Sequence, residues 1–379
     1  MLYKSSPRGA CIVRCFLYNA TGNNETTEPQ PKTPGCEGKD CTMNKKLIAL
    51  LLAGVMITGV FAGCGSTPAE TETTQAAQTA ETAAASDTVR VVSVFGEDEV
   101  ELEYPEAPQR VVSLAGFATE MLLALGLGDR IVGYAWQDNE VLPQYQEEFA
   151  QLTPLCPPAM DPGEEKVLAA EPDLVLSWAS WEDSDYFNYK NLAVNGINTY
   201  GFHTERWSGG HLEDVYTDFL NLGKIFRVED RAEALVAELK AGIEAANAKV
   251  KDLEPVSVFV CDASSNAEAC MTVGGGLPQE LLEMAGGRNV VTDMQTNWVR
   301  GYSWEKIIEA DPEWIVIDYY ASADEADVVL DLLNTHPQLS QMQAVQEGNI
   351  LLLGLTDISS SERIDDSVAM MAAAFHGVE

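Results

Sequence analysis

Four large aromatic residues fall where a sheet would present them to a ligand. Trp136, Trp178, Trp298 and Tyr320 are read as lying at strand ends or just after them, and strand ends border the ligand crevice in open α/β sheets. Cations are scarce, with 23 Lys and Arg against 59 Asp and Glu, so well-placed arginines matter. Arg300 lies just beyond Trp298, and Arg206 and Arg363 are the other candidates. A guanidinium fork matches carboxylate, hydroxamate or catecholate oxygens. Flat walls and a few such forks suit the grip of a bulky, rigid, oxygen-rich ligand, which is binding chemistry rather than bond-making chemistry. Core packing is the competing role for each aromatic. Ion pairing with surface carboxylates is the competing role for each arginine, above all Arg206. Tyr319 and Tyr320 are neighbours in a strand-like run and point to opposite faces, so at most one of them faces a ligand.

Other chemistries find less support. No Ser-His-Asp, Cys-His or paired-carboxylate arrangement emerges, which sets a secreted α/β enzyme well behind a binding protein. Gly274-Gly275-Gly276 precedes a helix but lacks the Gly-Lys-Ser/Thr of a phosphate loop, and the glycines more simply allow a turn. The four histidines, His203, His211, His336 and His376, lack the spacing of a direct zinc or manganese site. Haem would need an axial His, Tyr or Met; His203 or a tyrosine is available, and nothing selects one. A formal net charge of −36 repels nucleic acid and anionic membrane surfaces, so neither is expected as a partner.

The elements that must position these residues alternate in type. Strand-length runs at Arg110–Leu114, Ile131–Gly133 and Leu174–Leu176 alternate with helix-period stretches, the first over Thr119–Leu125. Short, uniformly apolar strands of this kind belong to parallel sheets covered on both faces. A long helix is expected from Asp230 to about Leu253, with Ala232, Leu235, Val236, Leu239, Ile243, Ala246 and Val250 at three- and four-residue spacing, stopping before Pro255. The alternation resumes with Val256–Val260, a helix over Pro278–Ala285 closed by Gly286-Gly287, and Trp314–Ile317.

The N-terminal region reads differently. Met43-Asn44-Lys45-Lys46 is a basic start, Leu47 to Val60 an apolar run too short to span a bilayer, and Phe61-Ala62-Gly63-Cys64 follows. This resembles a bacterial lipoprotein signal, which implies that Cys64 is diacylated and becomes the first residue of the mature protein. Residues 1–42 are then an upstream extension without a role, residues 43–63 the signal peptide, and residues 64–87, rich in Thr, Ala and Glu, a disordered tether. Cys156, Cys261 and Cys270 remain, and spacing leaves open whether the last two pair.

An internal echo ties the two halves together. The stretch from Glu165 through Pro172 to Leu176 recurs from Glu305 through Pro312 to Val316, 140 positions later, each a short helix, a proline stop and a buried strand. Two similar lobes on either side of the long helix follow, with the ligand cleft between them. The lobes are expected at 88–228 and 255–379 and the joining helix at 229–254.

With the Pro108–Leu114 segment, Ala118–Glu120 leading to Leu127–Gly133, the two echoes and Glu280–Val290, the chain from about Val89 onward resembles the helical-backbone class of periplasmic binding proteins. The resemblance implies two Rossmann-like three-layer lobes joined by one helix, modest closure on ligand, and service to an ABC importer for siderophores, cobalamin or haem. It implies that Glu165 and Glu305 dock on arginines of the importer's permease dimer, which works with its ATPase subunits. A carboxylate in a helix's first turn stays ionised and exposed; helix-start compensation, with Ser303 or Asp161 as caps, is the alternative role. The resemblance also places Trp178 at a position that contacts ligand in relatives, Trp298 near another, and Arg363 where relatives carry an arginine near the cleft. The expected protein is a lipid-anchored extracytoplasmic monomer with no cofactor of its own. A ferric siderophore is the expected cargo, and cobalamin, cobinamide or haem are the alternatives.

Overall fold

The computed structural model describes residues 88–157, 162–178, 189–206, 208–294 and 296–378. The expected leader, Cys64, the tether and the cap residue Asp161 lie outside the described residues. An antiparallel hairpin comes first, β1 (Val89–Phe95) with β2 (Asp98–Tyr104). It has no counterpart in the expected lobe pattern.

The first lobe runs through β3 (Val111–Ser113), α1 (Gly116–Ala124), β4 (Ile131–Tyr134), α2 (Gln146–Phe149), α3 (Glu164–Ala169), β5 (Leu174–Leu176), α4 (Tyr189–Val194), β6 (Asn198–Tyr200) and α5 (Leu212–Phe226). Its four strands form a parallel sheet in the order β4-β3-β5-β6. Helix α6 (Glu229–Val250) follows and matches the expected long helix within a turn at each end.

The second lobe contains β7 (Val256–Asp262), β8 (Cys270–Val273), α7 (Gly276–Met284), β9 (Gly287–Asn289), β10 (Trp298–Tyr302), α8 (Trp304–Ala310), β11 (Trp314–Tyr319), α9 (Asp327–Thr335), α10 (Gln343–Glu347), β12 (Ile350–Gly354) and α11 (Ile364–His376). Its sheet has the order β10-β8-β7-β11-β12, with β9 also on β7. Strands β7, β9, β11 and β12 are parallel, whereas β8 and β10 are antiparallel. Helix α7 begins two residues before the expected Pro278, because proline in a first turn loses no intrahelical hydrogen bond.

Strand alternation builds the layers. In the first lobe Val111, Leu174 and Leu176 join the large central core, while Val112, Leu114 and Val175 pack on the opposite face with Val167 and Leu192. In the second lobe Val258, Val260 and Val316 point to the central core, and Phe259, Cys261, Ile315 and Ile317 point away from it. Every second residue therefore serves a different layer, and the runs read as continuously apolar. Helix α6 sends Ala232, Val236, Leu239, Ile243, Ala246 and Val250 into the central core, where it also meets α5 and α11. The fold is thus two three-layer α/β lobes joined by one long helix.

The echo is physical as well as textual. Helix α3 ends toward Glu171 at φ 50°, and α8 ends at Asp311 with φ 42°, both left-handed residues directly before a proline. Just beyond each proline an acid clamps the entry to a neighbouring strand. The Asp173 carboxylate accepts from the backbone N–H of Gln109 (2.8 Å) and Arg110 (2.9 Å). The Glu313 carboxylate accepts from Ser257 N–H (2.7 Å) and Oγ–H (2.9 Å). Cys261 and Cys270 are both buried free thiols. Among the described residues no helix is long and apolar enough to cross a membrane.

Candidate ligand cleft

A cavity of about 550 Å³ opens between the strand ends of the two sheets. In the first lobe Trp136 follows β4, Trp178 follows β5, and Thr204 to Arg206 follow β6. Trp136 turns the chain at φ 56°, an uncommon conformation for a bulky residue. Trp178 rests edge-to-face on Phe117, with ring centroids 4.7 Å apart, and Phe117 leans in the same way on Phe202 at 4.9 Å. Those contacts pack the indole against the central core.

The turn after β6 is held by Asp218. Its fully buried carboxylate accepts from Tyr200 Oη–H (2.8 Å), His203 N–H (2.8 Å), Thr204 N–H (3.2 Å) and Thr204 Oγ1–H (2.9 Å). Burial pushes its pKa up to about 6, against the pull of these donors. Arg206 lines the cavity but its guanidinium is tied to Glu99 at 2.6 Å. The ion-pairing role expected of it is thus observed. His203 Nε2 meets the Val92 carbonyl at 2.8 Å and the residue does not line the cavity.

The second lobe supplies Met271 from β8, Trp298 and Arg300 from β10, Tyr320 after β11, and Leu355 and Ile358 after β12. Arg300 is exposed, and its side chain makes neither an ion pair nor a hydrogen bond with the described residues. Tyr320 donates its hydroxyl to Asp262 Oδ2 at 2.8 Å. Beneath it lies Asp318, fully buried on the strand beside Asp262, and burial together with the Asp262 charge pushes its carboxyl pKa well above the usual range. Tyr319 packs against the second lobe's outer core cluster instead and does not line the cavity. The two tyrosines thus divide between the faces of the strand.

Arg363 does not line this cavity. It is 9% exposed, and its guanidinium donates to the fully buried Glu120 on both carboxylate oxygens, to Asp357 Oδ1 (3.1 Å) and to the Glu140 carbonyl (2.6 Å). Burial opposes its charge, yet these carboxylates raise its pKa still further. Glu165 and Glu305 stand exposed in the first turns of α3 and α8, away from the cavity. Ser303 makes no side-chain cap at the start of α8; its hydroxyl donates to Glu305 at 2.6 Å and holds that carboxyl below the usual range.

Asp138 also lines the cavity, with a pKa pushed up to about 7 by burial against an opposing backbone N–H from Gly116. Its place just after Trp136 at a strand end was the available signal for it. Among the described residues no group of three or more His, Cys, Asp or Glu is placed to hold a metal ion.

An aromatic cavity between two lobes joined by one helix is the arrangement of a solute-binding protein, and sequence comparison agrees. The family described as periplasmic binding protein matches residues 111–354. The chain belongs to this family. This periplasmic binding protein is 29% identical over 271 residues to the ABC transporter substrate-binding lipoprotein YvrC of Bacillus subtilis, covering 71% of this chain and 78% of that one. It is 25% identical over 221 residues to the vitamin B12-binding protein of Vibrio parahaemolyticus, covering 58% of this chain and 74% of the relative. A periplasmic binding protein from Veillonella parvula superposes with a TM-score of 0.70 at 27% identity, over 77% of this chain and 99% of that one. These relatives are substrate-binding transport proteins, not enzymes. Such binding proteins work outside the cytoplasm with an importer's permease and ATPase.

Proposed function

We propose that the protein captures a ferric siderophore in this cleft and delivers it to an ABC importer. The observation that carries the reading is an uncommitted guanidinium, Arg300, in a cavity walled by Trp136, Trp178, Trp298 and Tyr320. The aromatics offer flat apolar area and Arg300 a fork for anionic chelate oxygens. Arg363, already occupied by Glu120 and Asp357, acts in this reading as a support between the lobes. Cobalamin is the second reading, favoured by the vitamin B12-binding relative and by the same aromatic walls. Haem would take its axial ligand from Tyr320 or Met271, because His203 is turned to Val92 and does not line the cavity.

Titration of the purified soluble domain against ferric hydroxamate and catecholate chelates, cyanocobalamin, cobinamide and haemin decides among them. Trp178→Ala is expected to weaken the bound chelate by roughly tenfold or more, as the loss of about 2 kcal/mol of aromatic contact implies. Arg300→Ala should weaken an anionic chelate and spare a neutral corrinoid. Asp138 adds a pH signature: it ionises as pH rises through about 7, so affinity for an anionic chelate should fall above that pH and Asp138→Asn should flatten the profile. Nanomolar cobalamin binding with no chelate binding would overturn the siderophore reading and leave the importer role intact. Unchanged affinity in both Trp178→Ala and Trp298→Ala would overturn the cleft assignment.

The protein acts in this reading as a monomer, with lobes at 88–228 and 255–379 joined by 229–254, held to the membrane through a diacylated Cys64 and a tether over 64–87. The apolar run ending in Ala62-Gly63-Cys64 and the lipoprotein relative support the anchor. Mass spectrometry of the mature protein should find an acylated Cys64 at its start, and peptides from 1–42 would sink the idea. Exposed Glu165 and Glu305, one on each lobe, dock on the two permease subunits.

A further inference from the structure

Beyond the cavity lining, one buried side chain joins the lobes at the cleft. Asn139 is 5% exposed, although it lies in the segment that follows β4 in the first lobe. Its amide Nδ2 donates to the carbonyls of Tyr319 (3.1 Å) and Tyr320, and its Oδ1 accepts from Thr356 N–H at 2.8 Å. All three partners belong to the second lobe, two at the end of β11 and one just past β12. Gly354 leaves the space for it, since a Cβ there would meet the Asn139 amide at 2.9–3.0 Å.

The same short segment lines the cavity. Trp136 and Asp138 belong to one wall, while Tyr320 and Leu355, each next to a group that Asn139 binds, belong to the other. The amide therefore fixes the distance between the walls without touching the space between them. Its polarity is matched to its partners: a carboxylate would face two carbonyls, and an alkyl side chain would leave three backbone groups unpaired.

We propose that Asn139 is a positioning residue that sets the aperture of the ligand cavity by pinning the ends of β11 and β12 to the first lobe. The consequence for affinity rests on the cavity being the ligand site; the latch itself does not. The test measures both separately. Spin labels at exposed Glu147 and Asp324, one on each lobe in a chain carrying Cys156→Ser, report the distance between lobes without ligand. Titration with the ferric chelates, cyanocobalamin and haemin reports affinity. Asn139→Ala is expected to lengthen and broaden the distance distribution. If only about a tenth of the variant keeps the latched aperture, affinity for whichever probe the parent binds falls about tenfold. Asn139→Asp, which preserves shape and loses the donor, should act in the same direction and serves if Asn139→Ala does not fold. A folded variant with the parent's distance distribution overturns the latch, and a widened distribution with unchanged affinity overturns its role in binding. If the parent binds none of the probes, the siderophore and cobalamin readings fail, and the distance measurement alone decides the latch.

Discussion

Lysine at both Glu165 and Glu305 is expected to abolish importer-dependent uptake while leaving the ligand affinity of the purified protein unchanged. Both carboxylates are exposed in the first turn of a short helix. Each helix is followed by a left-handed acidic residue and a proline, Glu171-Pro172 and Asp311-Pro312, so the echo places one carboxylate at the same point on each lobe. An importer with two permease subunits can meet both at once. Breaking a desolvated charge pair at such an interface costs about 2–5 kcal/mol, and a solvated rim pair much less. Reversal also adds repulsion, so Glu→Lys should exceed Glu→Gln at either site, with each single change intermediate. The Ser303 hydroxyl favours the ionised form of Glu305, so loss of uptake by protonation there begins only below the usual carboxylate range. Full uptake by a folded double variant would return both residues to a helix-start role.

The largest stability loss is expected from Arg363→Ala. The substitution leaves Glu120, which is 0% exposed, as a buried charge without its guanidinium partner. Breaking a buried pair from one side costs about 3–5 kcal/mol, which for a domain of this size lowers Tm by roughly 10 °C. Replacing both partners together, as in Glu120→Met with Arg363→Met, should recover much of the loss because no orphan charge remains. Glu362 sharpens the pH dependence. Burial, reinforced by the Glu120 charge, pushes its carboxyl pKa up to about 8. Its folded value lies above the ordinary one, so its contribution is fully present at low pH and is lost as pH rises from about 4.5 towards 8. Thermal denaturation of the parent protein and of Arg363→Ala at pH 6 and pH 8 checks both points. A shift under 2 °C at either pH, accompanied by loss of ligand binding, would make Arg363 a ligand contact after all.

The legible part of this protein was the part written in periodic patterns. Uniform apolar strands, the six-residue buried face of α6 and the helix–proline–strand echo are one-dimensional signals, because alternation and pitch come from backbone geometry alone. Strand ends therefore located Trp136, Trp178, Trp298 and Tyr320, and the scarcity of cations pointed to Arg300; the fold gathers all five in one cavity. Arg363 shows where that reasoning stops. Its partner Glu120 lies 243 residues away in sequence, and neither residue's spacing announces the other. Asn139 is harder still. Its neighbourhood reads as loop, and its burial appears only when a second lobe closes over it. Hairpin β1–β2 was missed for a related reason: β2 carries Asp98, Glu99, Glu101 and Glu103, so charge obscured a strand whose alternate residues are only half covered.

The groups that join the lobes meet across long stretches of chain, with separations of 180 residues for Asn139 and Tyr319, 217 for Asn139 and Thr356, and 243 for Glu120 and Arg363. Loop closure of that length must be completed before such contacts contribute any stability. The parallel ladders of each lobe span far shorter separations, which favours their forming first. Glu120, Asn139 and the polar backbone after β11 are then expected to lose their water late in folding. The amide protons of the seam, Thr356 N–H among them, should accordingly exchange with solvent sooner than those of the ladders.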